Sequence, residues 1–214
     1  MKNIRLLLLA CVMLPFVFGS CDNSQNPNGN KETKDTTVIT SPDLTFWELK
    51  GPVKICEEIE FDRQGMMVSY VGYNPFTIEK PYREIDEEGY MEEFSKWERN
   101  EAGQIATITG IEGNNTYTWR DGVMVHNEGV QEATAFAADY EYDENGLLVK
   151  LIEYMRDDIG EENEGEMPMW STTEYHYLEF DSHGNWIRRE VSVVYADYDT
   201  TENYEETRII EYYE

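Results

Sequence analysis

Cysteine, histidine and basic side chains are all scarce in this chain, and each scarcity excludes something. Of 214 residues, three are cysteines (11, 21 and 56) and three are histidines (126, 176 and 183). The histidines have no i, i+4 partner and the cysteines no Cys-x-x-Cys spacing, so no zinc-ligand pattern is present. Lysine and arginine number 17 against 44 acids. Such a surface repels nucleic acid and anionic headgroups, and favours cations and basic partners. No apolar run reaches the roughly 20 residues that a membrane-spanning helix needs, and no segment carries a sustained helical period. Phosphate-cradling loops and activated nucleophiles are missing too, so the chain reads as a non-enzyme without a cofactor. A glycoside or other hydrolase is the alternative, because that chemistry needs only two carboxylates a few ångströms apart.

What is there begins with a leader. "MKNIRLLLLACVMLPFVFGSC" has a basic head (Lys2, Arg5), an apolar run from Leu6 to Phe18, small residues Gly19 and Ser20, and then Cys21. Small residues ahead of a cysteine resemble the lipobox of bacterial lipoproteins, although Phe18 stands where leucine is usual. The resemblance implies cleavage before Cys21, acylation of Cys21 and a membrane anchor. Removing the leader, with Lys2 and Arg5, leaves 15 basic against 44 acidic residues, a net charge of −29. Residues 1–20 are thus expected as signal peptide and 21–43 as a polar, flexible tether. Residues 44–214 are expected as one domain. Only Cys56 would remain as a thiol, in "VKICEEIEF", where a small buried group is the simplest reading.

That domain carries an internal repeat. "FDRQG" (61–65), "IDEEG" (85–89), "YDENG" (142–146) and "FDSHG" (180–184) each join an apolar or aromatic residue, Asp, two polar residues and Gly. "RNEAG" (99–103) has Asn100 in the Asp place, and "WRDGV" (119–123) is a shorter relative. Asp can accept backbone N–H bonds at a bend, and Gly takes positive φ at little cost. The turn-forming residues are therefore Asp62, Gly65, Asp86, Gly89, Asp143, Gly146, Asp181 and Gly184. The triplet Asp181-Ser182-His183 is a hairpin bend rather than a catalytic relay, since adjacent side chains on a tip diverge. Stretches rich in aromatic and β-branched residues flank the turns. The ambiguous "EGVQEATAFAADYEY" (128–142) runs directly into "YDENG" and is read as strand. In "IRREVSVVY", Ile187, Val191, Val193 and Tyr195 share one face with a single charged exception, Arg189.

The repeat resembles the YD-repeat (Rhs-type) family, with "YDENG" and "FDSHGNW" as its best segments. "LTFWELKGPVKICEEIEFDRQG" (44–65) is similar to the start of small YD-repeat-like lipoproteins of Bacteroidota. The resemblance implies an all-β fold: an antiparallel meander of hairpins, a curved sheet of roughly nine to twelve strands. It also implies a lipid-anchored place in the outer membrane, periplasmic or surface-exposed; Asp22 would favour inner-membrane retention under enterobacterial sorting. The shell-building role of large Rhs proteins does not carry over to so short a chain.

Strand alternation puts the turns at 143–146 and 181–184 at one end of the sheet. The acidic stretches 157–168 and 196–206 then lie at the other. Asp157, Asp158, Asp197 and Asp199 are the calcium candidates there, though neither stretch has EF-hand spacing. Most aromatics are expected in the core; Trp170 and Trp186 border loops and turns and are the candidates for stacking on a glycan or protein. "DTT" at 35–37 and 199–201 looks like a Bacteroidota O-glycosylation sequon, with Thr36 and Thr200 as acceptors. The expected function is a lipid-anchored envelope protein that binds or scaffolds. A glycan- or Ca²⁺-binding accessory protein of a nutrient-uptake system is the alternative.

Overall fold

The computed structural model describes residues 39–85, 91–157, 166–197 and 200–214. The element order is α1 (Pro42–Phe46), β1 (Val53–Cys56), β2 (Ile59–Phe61), β3 (Met67–Tyr70), a 3₁₀ turn (Pro75–Thr77), β4 (Tyr82–Ile85), β5 (Met91–Phe94), β6 (Lys96–Arg99), β7 (Ile105–Thr109), β8 (Gly113–Arg120), β9 (Val123–Gln131), β10 (Thr134–Tyr142), β11 (Leu148–Asp157), β12 (Met169–Phe180), β13 (Trp186–Tyr195), β14 (Thr201–Thr207) and β15 (Ile210–Tyr212). The fold is all-β, as expected. Strands β6 to β14 form one open antiparallel meander in strict chain order. Two further sheets, β15-β1-β2-β3 and β4-β5, raise the count to fifteen strands among the described residues, above the nine to twelve expected. The excess comes from short strands of three to five residues in the first third of the domain.

The turns share one geometry. Asp62, Asn100, Asp143 and Asp181 each accept two backbone N–H bonds through the side-chain Oδ1, from the residues two and four places on, at 2.8–3.0 Å. The glycine N–H donates back to the carbonyl of that Asp or Asn, and the glycines sit at φ +78 to +80. This is the three-residue hairpin with a type I turn closed by a left-handed residue and a bulge. The Leu147 amide, first among these donors, holds the Asp143 carboxyl below the ordinary carboxylate range. Asp86 and Gly89 lie outside the described residues. "RDGV" makes the two-residue version, with both Asp121 and Gly122 at positive φ.

Two glycines separate conformational cost from steric cost. A Cβ on Gly146 meets nothing within 4 Å, so Gly146→Ala carries only the left-handed penalty, about 1–2 kcal/mol. A Cβ on Gly65 would lie 2.5 Å from the buried Leu44 Cδ1. Thermal unfolding should therefore show a clearly larger loss for Gly65→Ala than for Gly146→Ala; equal losses would mean that Leu44 moves aside freely.

The packed structure begins ahead of Leu44. Ser41 caps α1 by accepting the Leu44 N–H at 3.0 Å, Pro42 takes the first helical position, and Asp43 is fully buried. These last residues of the stretch expected as tether belong to the fold, because Asp43 holds Arg99 and the Met67 amide. The core joins the four-stranded sheet to β6–β8 through Leu44, Val53, Phe61, Trp97, Ile105 and Ile108. Phe46 and Trp47 fill the seam, Phe46 edge-on to Tyr117 at 5.2 Å and Trp47 stacked on Tyr70 at 6.0 Å. Cys56 is buried there, and burial pushes its thiol up to about 11. At pH 8 it is a thiol, not a thiolate. Peptide-level mass spectrometry should find it unalkylated by iodoacetamide until the protein is denatured; rapid native labelling would contradict this burial.

The first and last strands of the domain meet at a polar clasp. β15 pairs with β1, so the C-terminus closes on the start of the domain. Arg208, 4% exposed, lies where the chain passes from β14 to β15 and donates to the carbonyls of Trp186, Trp47 and Glu48 at 2.6–3.1 Å. Asn185, 1% exposed, accepts the Lys50 N–H at 2.7 Å. Its Nδ2 donates to the Lys50 carbonyl and to the Tyr212 hydroxyl at 2.8 and 2.7 Å. Three bonds at about 1 kcal/mol each, with buried groups left unpaired, predict a loss of about 2–4 kcal/mol for Asn185→Ala. Urea unfolding checks this; a change below about 1 kcal/mol would show that Lys50 finds other partners.

Candidate functional site

Cross-strand register assigns every side chain of the large sheet to one of two faces. On the inner face lie Leu151, Thr173, Val191 and Val193, which are buried. Arg189 shares it, so the charged exception in an apolar stripe is buried as well. Its guanidinium bonds Glu48 Oε2 at 3.0 Å and Glu206 Oε2 at 2.7 Å, and lies 4.1 Å over the rings of Tyr175 and Trp186. Burial alone would lower the Arg189 pKa, yet Glu48 and Glu206 outweigh it and hold the group charged.

The outer face carries Ile152 and Val194 among its side chains, and its charged groups concentrate over β10–β14. One row runs Lys150, Glu174, Ser192, Asn203 across four strands, and the next runs His176, Glu190, Glu205. With Glu141 these residues line a trough of about 860 Å³. Four glutamates face one lysine and one histidine there. Lys150 reaches Glu141 at 3.9 Å, and Arg188 at the margin contacts Glu205 at 3.4 Å and Glu179 at 3.5 Å. Cross-strand alternation alone makes this site, since side chains two apart on each strand share a face and neighbours lie about 5 Å away. No single segment carries a motif for it. Only the register of β10 to β14, not their order, reveals it.

No protein-family model matches the chain, and no curated protein matches it. The site therefore stands on its own geometry.

The residues singled out in the sequence fare unevenly. Asp197 is exposed after β13, Asp157 ends β11, and Asp158 and Asp199 lie outside the described residues. Among the described residues no group of three or more His, Cys, Asp or Glu is placed to hold a metal. The acidic stretch 196–206 is not one loop: from Thr201 it is strand β14, because β13 supplies a partner along that whole length. Trp170 is half-buried and edge-on to Tyr195 at 5.8 Å. Trp186, expected at the surface, is 1% exposed. Asn185 draws that strand start against Lys50, and the guanidinium groups of Arg189 and Arg208 cover the indole at 4.1 and 3.9 Å.

The triplet at 181–183 serves the turn and the clasp. Asp181 accepts its two turn amides and, through Oδ2, the Tyr212 hydroxyl; His183 stacks on the Tyr212 ring at 3.9 Å. Burial works against the Asp181 charge, but Tyr212 and the turn amides outweigh it and hold the carboxyl below its usual range. His126 pairs with Asp139 at 2.7 Å on the outer face, so the three histidines lie in three separate settings.

Proposed function

We propose that this protein is a lipid-anchored binding or scaffolding module of the cell envelope, joined to the membrane through Cys21, whose outer sheet face docks a cationic partner. The single observation behind the docking role is the trough over β10–β14, where Glu141, Glu174, Glu190 and Glu205 converge on a rigid, hydrogen-bonded surface. Carboxylates fixed on a sheet attract a cationic group without the entropy cost of ordering a loop, and the chain's net charge steers such a partner in. The Asp-x-x-Gly corners set this surface and act in no chemistry, in keeping with the resemblance to YD-repeat lipoproteins.

A nuclear magnetic resonance titration with hexalysine tests the docking role. Shifts should concentrate at Lys150, Glu174, His176, Glu190 and Ser192, and fade as salt shortens the Debye length from about 10 Å at 0.1 M to 3 Å at 1 M. The double variant Glu174→Gln/Glu190→Gln should bind less. Shifts scattered evenly over the acidic surface would contradict a defined site. For the anchor, palmitate label should enter the wild type and be lost in Cys21→Ser; equal labelling would remove the lipoprotein reading.

A further inference from the structure

The large sheet is open, and one of its two edges is long. β6 at one end has four residues, whereas β14 at the other has seven, almost all exposed. Which backbone groups point outward from β14 follows from the ladder. Tyr195 donates to the Thr200 carbonyl and Arg208 to the Ile187 carbonyl, and the register between them is unbroken. Antiparallel pairs alternate between bonded and unbonded, so Glu202, Tyr204 and Glu206 bond inward to β13. The N–H and C=O groups of Thr201, Asn203, Glu205 and Thr207 therefore face away from the sheet, and no described strand pairs with them.

Such an edge is a template for another strand, which most proteins block with lysine, proline or a bulge. "TENYEET" has none of these. Its protection is negative charge: Glu202 and Glu205 lie exposed on it, and Glu174 and Glu190 flank it through the trough. A second copy of this strand would bring like charges face to face, which disfavours self-pairing. A basic strand meets the opposite sign on both faces.

We propose that the β14 edge accepts an extended basic segment of a partner protein as a tenth strand, bonded to the outward groups of Thr201, Asn203, Glu205 and Thr207. This goes beyond docking on the face, because a cation could sit in the trough without touching the edge. Backbone bonds supply the register of the added strand, and its alternate lysines lie beside Glu205 on the outer face or beside Glu202 on the inner one.

The test uses a capped peptide, Lys-Thr-Lys-Val-Lys-Thr-Lys, and the same peptide N-methylated at alternate residues along the pairing edge. The unmodified peptide should bind, slow amide exchange at Asn203, Glu205 and Thr207, and leave the inward amides of Tyr204 and Glu206 unchanged. N-methylation should weaken binding by about tenfold or more, because the charges remain and the backbone bonds go. The variant Asn203→Pro should lose binding while keeping its melting temperature, since that N–H points away from the sheet. Equal affinity for both peptides, with shifts confined to the trough, would overturn strand addition and leave face docking in place. Absence of binding by the unmodified peptide would overturn the proposal outright.

Discussion

Replacing Arg189 with alanine is expected to lower stability by about 3–5 kcal/mol, the cost of breaking a buried ion pair from one side. Its side chain is 9% exposed, as is that of Glu206, and that of Glu48 is 19% exposed. Without the guanidinium, the Glu48 and Glu206 carboxylates lose their shared cation and the rings of Tyr175 and Trp186 lose their cover. Glu48 is the sensitive partner, because its backbone sits at φ +53 and its carboxylate also accepts the Tyr177 hydroxyl at 3.0 Å. Urea unfolding should show a lower midpoint with an unchanged slope. Neutralising the partners in the same chain, Arg189→Met with Glu48→Gln and Glu206→Gln, should recover most of the loss, since apolar or neutral replacement of a buried pair is often close to neutral. A single-variant loss below about 1 kcal/mol would mean that water reaches the triad.

A second loss of about 3–5 kcal/mol is expected for Asp43→Ala. Asp43 is fully buried in the first turn of α1; it pairs bidentately with Arg99 and accepts the Met67 N–H at 2.6 Å. Arg99 also lies 3.8 Å over the Phe76 ring and donates to the Gly103 carbonyl. One carboxylate therefore ties α1, β3 and the turn after β6 together. Asp43→Asn keeps an acceptor for Met67 but removes the charge, so it should fall between wild type and alanine. Equal effects of the two substitutions would show that the amide bond, not the ion pair, carries the stability.

The local grammar of the chain was readable and the distant partners were not. Asp62, Asp143 and Asp181 could be assigned to turns because each bend is decided within five residues. Asn100 behaves as they do, which the degenerate copy suggested. The stretch 128–142 enters the next turn directly and is strand at both ends, but it is not one strand: β9 ends at Gln131, Glu132 turns the chain at positive φ, and β10 begins at Thr134. α1 has start signals in the right order in Ser41, Pro42 and Asp43, but its five residues are too few to show a period. Arg189 was visible as an anomaly, but its partner Glu48 is 141 residues away, and Asn185 meets Lys50 across 135. No pattern of period two encodes such a meeting. Trp186 is buried for a reason equally distant in sequence, since its cover comes from Arg208 and from the docking of Asn185. The outer-face trough depends on the cross-strand register of five strands, while the sequence shows only their order.

Amide hydrogen exchange along β14 in the free protein tests the account most directly, because it asks whether the meander ends in an open, paired edge strand. Glu202, Tyr204 and Glu206 should exchange slowly and Thr201, Asn203, Glu205 and Thr207 quickly, an alternation set by the register with β13. Slow exchange at all seven would mean that something already covers the edge. Fast exchange at all seven would mean that β14 is not in the sheet, and the trough it borders would go with it.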